Sequence, residues 1–189
     1  MIKSLFNEYS GLINQGAFDN CMNEMNQYID RVVFGGDSDV NQYKISPTII
    51  YPVDINEDIV KHELFNPLLP IVPFDDDKVN DLLDVIASRE HGLSLYVFTK
   101  DIKWANKVMS TQQFGGGCIN EVIVHMLVKG VPFNGTGHSG MGAYHGVWGF
   151  REFTHPTTVL RGFNKCNLPL REHPYKNKKK FKILKIFEK

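Results

Sequence analysis

Apolar and polar residues follow two different periods in the first part of the chain. Apolar residues recur at roughly helical spacing over residues 5–29, which predicts a helix interrupted at its two glycines. The β-branched run at 31–34 ends at a pair of glycines and predicts a strand. Residues 46–53 (SPTIIYPV) are rich in β-forming residues and carry prolines near both ends, which favours a strand close to a sheet edge.

Strands and amphipathic helices then alternate. Three prolines within residues 64–74 exclude a helix there and predict an extended segment with one short strand. The aspartates at 75–77 are predicted to cap a helix, residues 93–99 (LSLYVFT) form the clearest strand, and Asp101 is predicted to cap a second helix. Another strand is predicted at 118–124, after three glycines. This alternation is typical of βαβ crossovers and predicts an α/β fold with a mainly parallel sheet flanked by helices.

The end of the chain has a different composition. Glycines crowd residues 131–149, which indicates irregular backbone, and a final strand is predicted around residues 157–160. The terminus is rich in lysines interleaved with apolar residues; membrane contact with anionic lipid is one interpretation, and a solvated, partly helical terminus is the favoured one. We expect residues 1–165 to form the folded domain and residues 166–189 to form a basic tail.

Composition and charge describe an ordinary globular protein. Apolar residues make up 42% and charged residues 22% of the chain, and the formal net charge is zero, so we expect no nucleic-acid partner. No apolar run approaches the length that spans a bilayer, and no signal peptide is recognisable. Three widely spaced cysteines without a CxxC pair favour free thiols in a reducing compartment, so we expect a cytoplasmic protein.

Two local patterns resemble binding sites, and each has a plainer explanation. Residues 135–140 (GTGHSG) spell GxGxxG, but a dinucleotide-binding loop needs a strand directly before it and a helix directly after it, so a turn-rich structural loop is favoured. Four histidines match no metal-ligand spacing and are expected to be polar loop residues: His125, His138, His145 and His155. No metal site is predicted.

Three stretches of the chain resemble the aldehyde dehydrogenase family. Residues 63–70 (ELFNPLLP) are similar to the family segment that usually reads Glu-Ile-Phe-Gly-Pro-Val-Leu-Pro. Residues 116–126 (GGCINEVIVHM) resemble the family's Gly-Gly, small residue, Asn motif. Residues 131–146 (VPFNGTGHSGMGAYHG) resemble the glycine-rich run of its class 3 and fatty-aldehyde branch. The order and separations also fit the family pattern, from about residue 9 to residue 160.

The resemblance implies oxidation of an aldehyde to a carboxylic acid with NAD or NADP as cofactor. In the family a cysteine thiolate attacks the aldehyde, a hydride passes to the cofactor, and a glutamate-activated water releases the acid. The family places its cofactor domain, nucleophile and general base upstream of the matched stretch, so none of Cys21, Cys118 and Cys166 is expected to be catalytic. We therefore expect the C-terminal part of such an enzyme, inactive alone and paired with its missing N-terminal half or with a second copy.

Two residues match cofactor contacts of the family. Glu63 matches the glutamate that accepts hydrogen bonds from a ribose, and Phe65 matches the aromatic residue beside the nicotinamide. Asn66 and Asn134 replace family glycines, and asparagine is the next best residue for a left-handed backbone. Two alternatives stay open: a non-catalytic remnant or partner-binding module, and a small nucleotide binder that uses Glu63 and the loop at 135–140.

Overall fold

Helix α1 (Gln15–Gln27) covers the larger of two hydrophobic cores. The computed structural model describes residue 6 and residues 8–162. The helix begins at Gln15 because Asn14 has extended backbone and its Oδ1 accepts a hydrogen bond from the Ala17 amide at 2.9 Å. Its buried face carries three residues at helical spacing: Phe18, Cys21 and Met25. The predicted helix is confirmed over residues 15–27, and Gly11 lies in a non-helical stretch as predicted, whereas Gly16 lies inside α1 and does not interrupt it.

A three-stranded sheet packs under α1. Its central strand, β4 (Thr48–Ile50), pairs antiparallel with β1 (Val32–Phe34) and parallel with β5 (Leu68–Pro70). A short antiparallel hairpin of β2 (Ser38–Asp39) and β3 (Lys44–Ile45) separates β1 from β4 along the chain. The strands predicted within residues 31–34, 46–53 and 64–74 are confirmed.

The sheet-edge position predicted for residues 46–53 is wrong. Pro47 and Pro52 lie just outside β4, so neither removes an amide donor from the central ladder. Thr48 and Ile50 point to the same face of the sheet, and both are almost fully buried. The prolines therefore bound a central strand instead of marking an edge.

The second, smaller core surrounds a βαβ crossover. Strands β6 (Ser94–Val97) and β7 (Gly116–Ile119) pair in parallel, and helix α3 (Ile102–Thr111) joins them. Asp101 caps this helix as predicted, since its Oδ1 accepts a hydrogen bond from the Trp104 amide at 3.0 Å. Three buried residues form the core: Val97, Ala105 and Val108. The predicted crossover is confirmed here.

Helix α2 (Val79–Ala87) is not capped as predicted. A 3-10 turn at Asp76–Lys78 precedes it and places Lys78 at its N-cap position, where no described side chain caps the helix. The Asp75 carboxylate instead pairs with the Lys78 ammonium, with Oδ2 and Nζ 3.3 Å apart. Because the 3-10 turn intervenes, the three aspartates lie too early in the chain to reach the free amides of α2.

Strand β7 begins and ends earlier than the strand predicted at 118–124. Two of the three glycines lie inside it, and a Cβ on Gly117 would lie 2.1 Å from the Leu95 carbonyl oxygen. Only glycine fits this close approach to β6 without a backbone shift. The strand ends at Ile119 because Asn120 takes a left-handed backbone with φ of 56°.

The α/β class is confirmed, with parallel pairing between β4 and β5 and between β6 and β7. Within residues 8–162 the strands form four small sheets instead of one, because no described strand hydrogen-bonds to both β5 and β6. A last hairpin of β8 (Phe133–Asn134) and β9 (Ala143–Tyr144) precedes the short helix α4 (Val147–Glu152). The strand predicted at 157–160 is wrong, since these exposed residues meet no partner strand in the described part of the chain.

Three predictions fall on residues outside the described part of the chain. They concern Cys166, the domain boundary after residue 165 and the basic tail at 166–189. Among the described helices, none combines the length and the apolar character needed to cross a membrane.

Candidate cofactor-facing site

The segment at residues 61–66 leads from a 3-10 turn into β5 and carries both predicted cofactor contacts. Leu64 packs against the larger core, and Leu68 is buried in it just after the segment. The side chains on either side of Leu64 point the other way: Glu63 is exposed, and Phe65 is 86% exposed. The leucines therefore anchor the segment to the core, while the Glu63 carboxylate and the Phe65 ring face away from it.

The left-handed residue of this segment is Phe65, and the expectation for Asn66 is wrong. Phe65 has φ of 49°, whereas neither Asn66 nor Asn134 has a positive φ. A left-handed conformation costs an aromatic residue about 1–3 kcal/mol, so other contacts must hold it. Asn66 uses its side chain instead: its Oδ1 accepts a hydrogen bond from the Leu68 amide at 3.0 Å, and its Nδ2 donates to Glu24 Oε2 at 3.2 Å.

Glu63 and Phe65 fit the groups that a dinucleotide offers. Within residues 8–162 the Glu63 carboxylate forms no ion pair, so both oxygens are available to accept hydrogen bonds from sugar hydroxyls. The exposed Phe65 ring offers an uncovered flat face for stacking. The two side chains can therefore bind a ribose and an aromatic ring at neighbouring positions.

The two described cysteines have different surroundings. Cys21 lies on the buried face of α1, and burial together with the nearby Glu24 charge raises the pKa of its thiol from 9.0 to about 11. Cys118 lies on β7, with its Sγ 3.6 Å from His125 Nδ1. The first thiol is too basic and too enclosed to attack a substrate, and the second lies within a strand.

His125 is not the polar loop residue that its sequence context predicts. Its ring is half-buried over Gly116, where an added Cβ would lie 2.7 Å from His125 Cδ2. Its buried Nε2 has no hydrogen-bond partner among the described residues. The alternation of side chains along β7 is the sequence feature that indicates this burial. Gly116 and Cys118 share the face that His125 covers, while Ile119 packs on the opposite, helix-bearing face.

Comparison with known proteins decides the family. The model of the aldehyde dehydrogenase family matches residues 7–159. This chain belongs to the aldehyde dehydrogenase family. It is 34% identical to aldehyde dehydrogenase family 3 member H1 of Arabidopsis thaliana over 94% of its own length and 37% of that protein.

Solved structures of aldehyde dehydrogenases have the same fold. The substrate-bound AldH of Staphylococcus aureus superposes with a TM-score of 0.86 at 33% identity, covering 95% of this chain and 38% of AldH. The Mycobacterium tuberculosis aldehyde dehydrogenase complexed with NAD+ superposes with a TM-score of 0.71 at 27% identity, covering 83% of this chain and 33% of that one. The chain thus spans between a third and two-fifths of the length of these aldehyde dehydrogenases.

The glycine-rich loop of this family member is structural in its local geometry. Residues 135–140 follow the two-residue strand β8 and form a 3-10 turn at Gly137–Ser139, with no α-helix directly after it. Thr136 and Ser139 close the turn through reciprocal hydrogen bonds, the Thr136 amide donating to Ser139 Oγ at 2.8 Å. The helix N-terminus that a dinucleotide fingerprint requires is missing from this loop. Among the described residues, no group of three His, Cys, Asp or Glu side chains is placed to hold a metal ion.

Proposed function

We propose that this chain is the C-terminal part of an NAD(P)-dependent aldehyde dehydrogenase that oxidises an aldehyde to a carboxylic acid. The observation that carries the proposal is the outward pair Glu63 and Phe65, on a segment fixed to the larger core of a family member. Its structural relatives include an aldehyde dehydrogenase complexed with NAD+. The cofactor, when bound, accepts the hydride of the aldehyde.

The roles proposed for the two residues follow from their chemistry. The Glu63 carboxylate accepts hydrogen bonds from ribose hydroxyls, because an ionised carboxylate is purely an acceptor. The Phe65 ring packs beside the nicotinamide end and limits where that end can lie. The nucleophile and the general base belong, in this proposal, to a part of the enzyme not contained in this chain, so the chain is inactive alone. The buried and weakly acidic thiol of Cys21 supports that division.

A non-catalytic, partner-binding module is the second candidate function. It is favoured by apolar side chains that remain uncovered in the described residues after β7, such as Leu127 (78% exposed) and Met141 (97% exposed). The same surface suits the missing part of the enzyme or a second copy of the chain as partner. The free thiols of Cys21 and Cys118 support the proposed cytoplasmic location, since the cytoplasm is reducing.

A chimeric enzyme tests the first candidate. The upstream part of Staphylococcus aureus AldH is joined to this chain, which replaces the matching C-terminal stretch of AldH. We expect the folded chimera to form NADH or NADPH from an aldehyde. We expect Glu63→Gln to raise its KM for the cofactor roughly tenfold, because the variant loses a charged hydrogen bond.

The control variant is Glu8→Gln, which removes another exposed glutamate. It should leave the KM unchanged. A chimera that folds, shown by circular dichroism and size-exclusion chromatography, but neither binds the cofactor nor forms product contradicts the catalytic proposal. A working chimera in which Glu63→Gln has no effect contradicts the role given to Glu63.

A further inference from the structure

Glu24 of α1 contacts the 61–66 segment at two points. Its Oε1 lies 3.2 Å from His62 Nε2, and its Oε2 accepts a hydrogen bond from Asn66 Nδ2 at 3.2 Å. The Glu24 side chain is only 19% exposed, less than any other carboxylate in a described ion pair. One carboxylate therefore joins the helix to both ends of the five-residue stretch 62–66.

The two contacts bracket the outward residues Glu63 and Phe65. His62 precedes Glu63 directly, and Asn66 follows Phe65 directly. Asn66 continues the connection into the sheet, because its Oδ1 accepts the Leu68 amide at 3.0 Å. The stretch is thus held from α1 on one side and from the first residue of β5 on the other.

These contacts can stabilise the strained backbone conformation of Phe65. This residue keeps a left-handed backbone with φ of 49° while its ring stays 86% exposed, so contacts of the ring itself do not offset the cost of the conformation. The hydrogen bond of Asn66 and the contact of His62 with Glu24 act on the neighbouring residues and can supply that stabilisation. Loss of either contact lets the segment relax to an ordinary backbone and turns the ring.

We propose that Glu24 is a positioning residue, which fixes the 62–66 stretch through His62 and Asn66 so that Glu63 and Phe65 meet the cofactor in a preset geometry. This inference rests on the proposed cofactor role of the segment. It adds to that role a residue on another element that touches no cofactor itself. A preset segment loses less conformational freedom when it binds, which strengthens binding without a new contact.

Hydrogen exchange of the 189-residue chain tests the hold without any cofactor. Glu24→Leu removes both contacts and should speed exchange in a peptide spanning residues 62–68 about tenfold, most clearly at the Leu68 amide. Glu24→Gln keeps an oxygen acceptor for Asn66 and should restore part of the protection. Asp19→Asn is the matched control on α1, since Asp19 bonds only to Gln15 within the helix among the described residues. Unchanged exchange in Glu24→Leu overturns the proposal.

Cofactor kinetics of the chimera test the positioning role. Glu24→Leu should raise the KM for NAD or NADP about tenfold and change kcat less than about twofold, because Glu24 touches neither substrate nor nucleophile. Asn66→Gly should have a similar effect, and the double variant should raise the KM by less than the product of the two single effects, because both variants remove the Glu24–Asn66 hydrogen bond.

The outcomes separate this inference from the proposed function. If the wild-type chimera binds no cofactor but exchange rises in Glu24→Leu, the proposed function fails and only the structural connection stands, so the positioning role falls with it. If the chimera is active and Glu24→Leu leaves its KM unchanged, the positioning role is wrong while the proposed function survives. Additive effects of Glu24→Leu and Asn66→Gly also overturn the shared connection.

Discussion

Residues 12–72, the first region, and residues 120–162, the last region, keep their shapes by different means. The first region closes around nine buried residues, which come from α1, the β2–β3 hairpin, the three-stranded sheet and the segments that connect them. The last region contains no buried residue, although it carries many large apolar side chains. Burial of apolar surface is the main source of folding free energy, so the first region can stabilise itself and the last region depends on a covering surface.

Backbone conformation sharpens the contrast. The last region has left-handed residues at Asn120, Ile123 and His145, and a β-branched residue such as Ile123 adopts φ of 66° only under constraint. In the first region the left-handed residues other than glycine are Tyr43, which packs against the buried core, and Phe65, which lies between contacts to it. The segment proposed to face the cofactor is therefore built on the region that has its own buried core.

Removing core volume should separate the two regions most strongly. Ile50 is 0% exposed at the centre of the sheet, and Ile50→Ala should lower the free energy of unfolding by about 2–5 kcal/mol. Leu127→Ala, in the last region, should change it by less than about 0.5 kcal/mol because Leu127 is already in contact with water. Urea unfolding followed by circular dichroism measures both. Equal losses would show that the last region has a core of its own.

Two glycines with positive φ should give the next largest difference. A Cβ on Gly35 would lie 2.2 Å from the Pro47 carbonyl oxygen, whereas a Cβ on Gly137 meets no atom within 4 Å. Gly137→Ala should therefore cost only the left-handed conformation, about 1 kcal/mol, and Gly35→Ala should cost at least about 2 kcal/mol more. The same urea experiment measures the gap. A cost for Gly137→Ala as large as that for Gly35→Ala would mean that the loop at 135–140 is tightly covered.

The smallest effect concerns pH and one ion pair of the first region. Arg31 donates two hydrogen bonds of 2.7 Å to Glu57, and these, with the Asp54 amide, lower the pKa of the Glu57 carboxyl from 4.5 to about 2. A carboxyl whose pKa is lower in the folded state stabilises the fold above its unfolded pKa. That stabilisation is lost as pH falls through the folded pKa.

The unfolding free energy of the wild type should therefore fall more steeply than that of Glu57→Gln between about pH 5 and pH 2. Urea titrations at several pH values in this range measure the two slopes. Parallel slopes would mean that the Arg31 pair contributes nothing to the folded state.

Regular elements were predictable from the sequence where a local rule governs them. The Asp101 cap, the run of β-forming residues at 93–99 and the prolines of residues 64–74 each indicate the local structure within a few residues. The central position of β4 was not predictable in this way, because it depends on pairing with β5, which begins 18 residues after β4 ends. In the sequence alone, prolines that flank a central strand cannot be distinguished from prolines on an edge strand.

The candidate site was predictable only in part. Glu63 and Phe65 follow from the family resemblance, whereas Glu24 lies in an unremarkable polar stretch of α1 and gains its role from residues 38 and 42 positions later. The left-handed conformation fell on Phe65 because the Asn66 side chain is committed to two hydrogen bonds. No local rule predicts that an aromatic residue takes the position that suits asparagine better.

Native-state hydrogen exchange of the purified chain, measured peptide by peptide, tests whether the first region is a self-supporting platform for Glu63 and Phe65 while the last region needs a partner to fold firmly. We predict that amides of α1 and β4 exchange only through global unfolding, whereas those of residues 120–162 exchange orders of magnitude faster through local opening. Equal protection of the two regions in the isolated chain would contradict the claim.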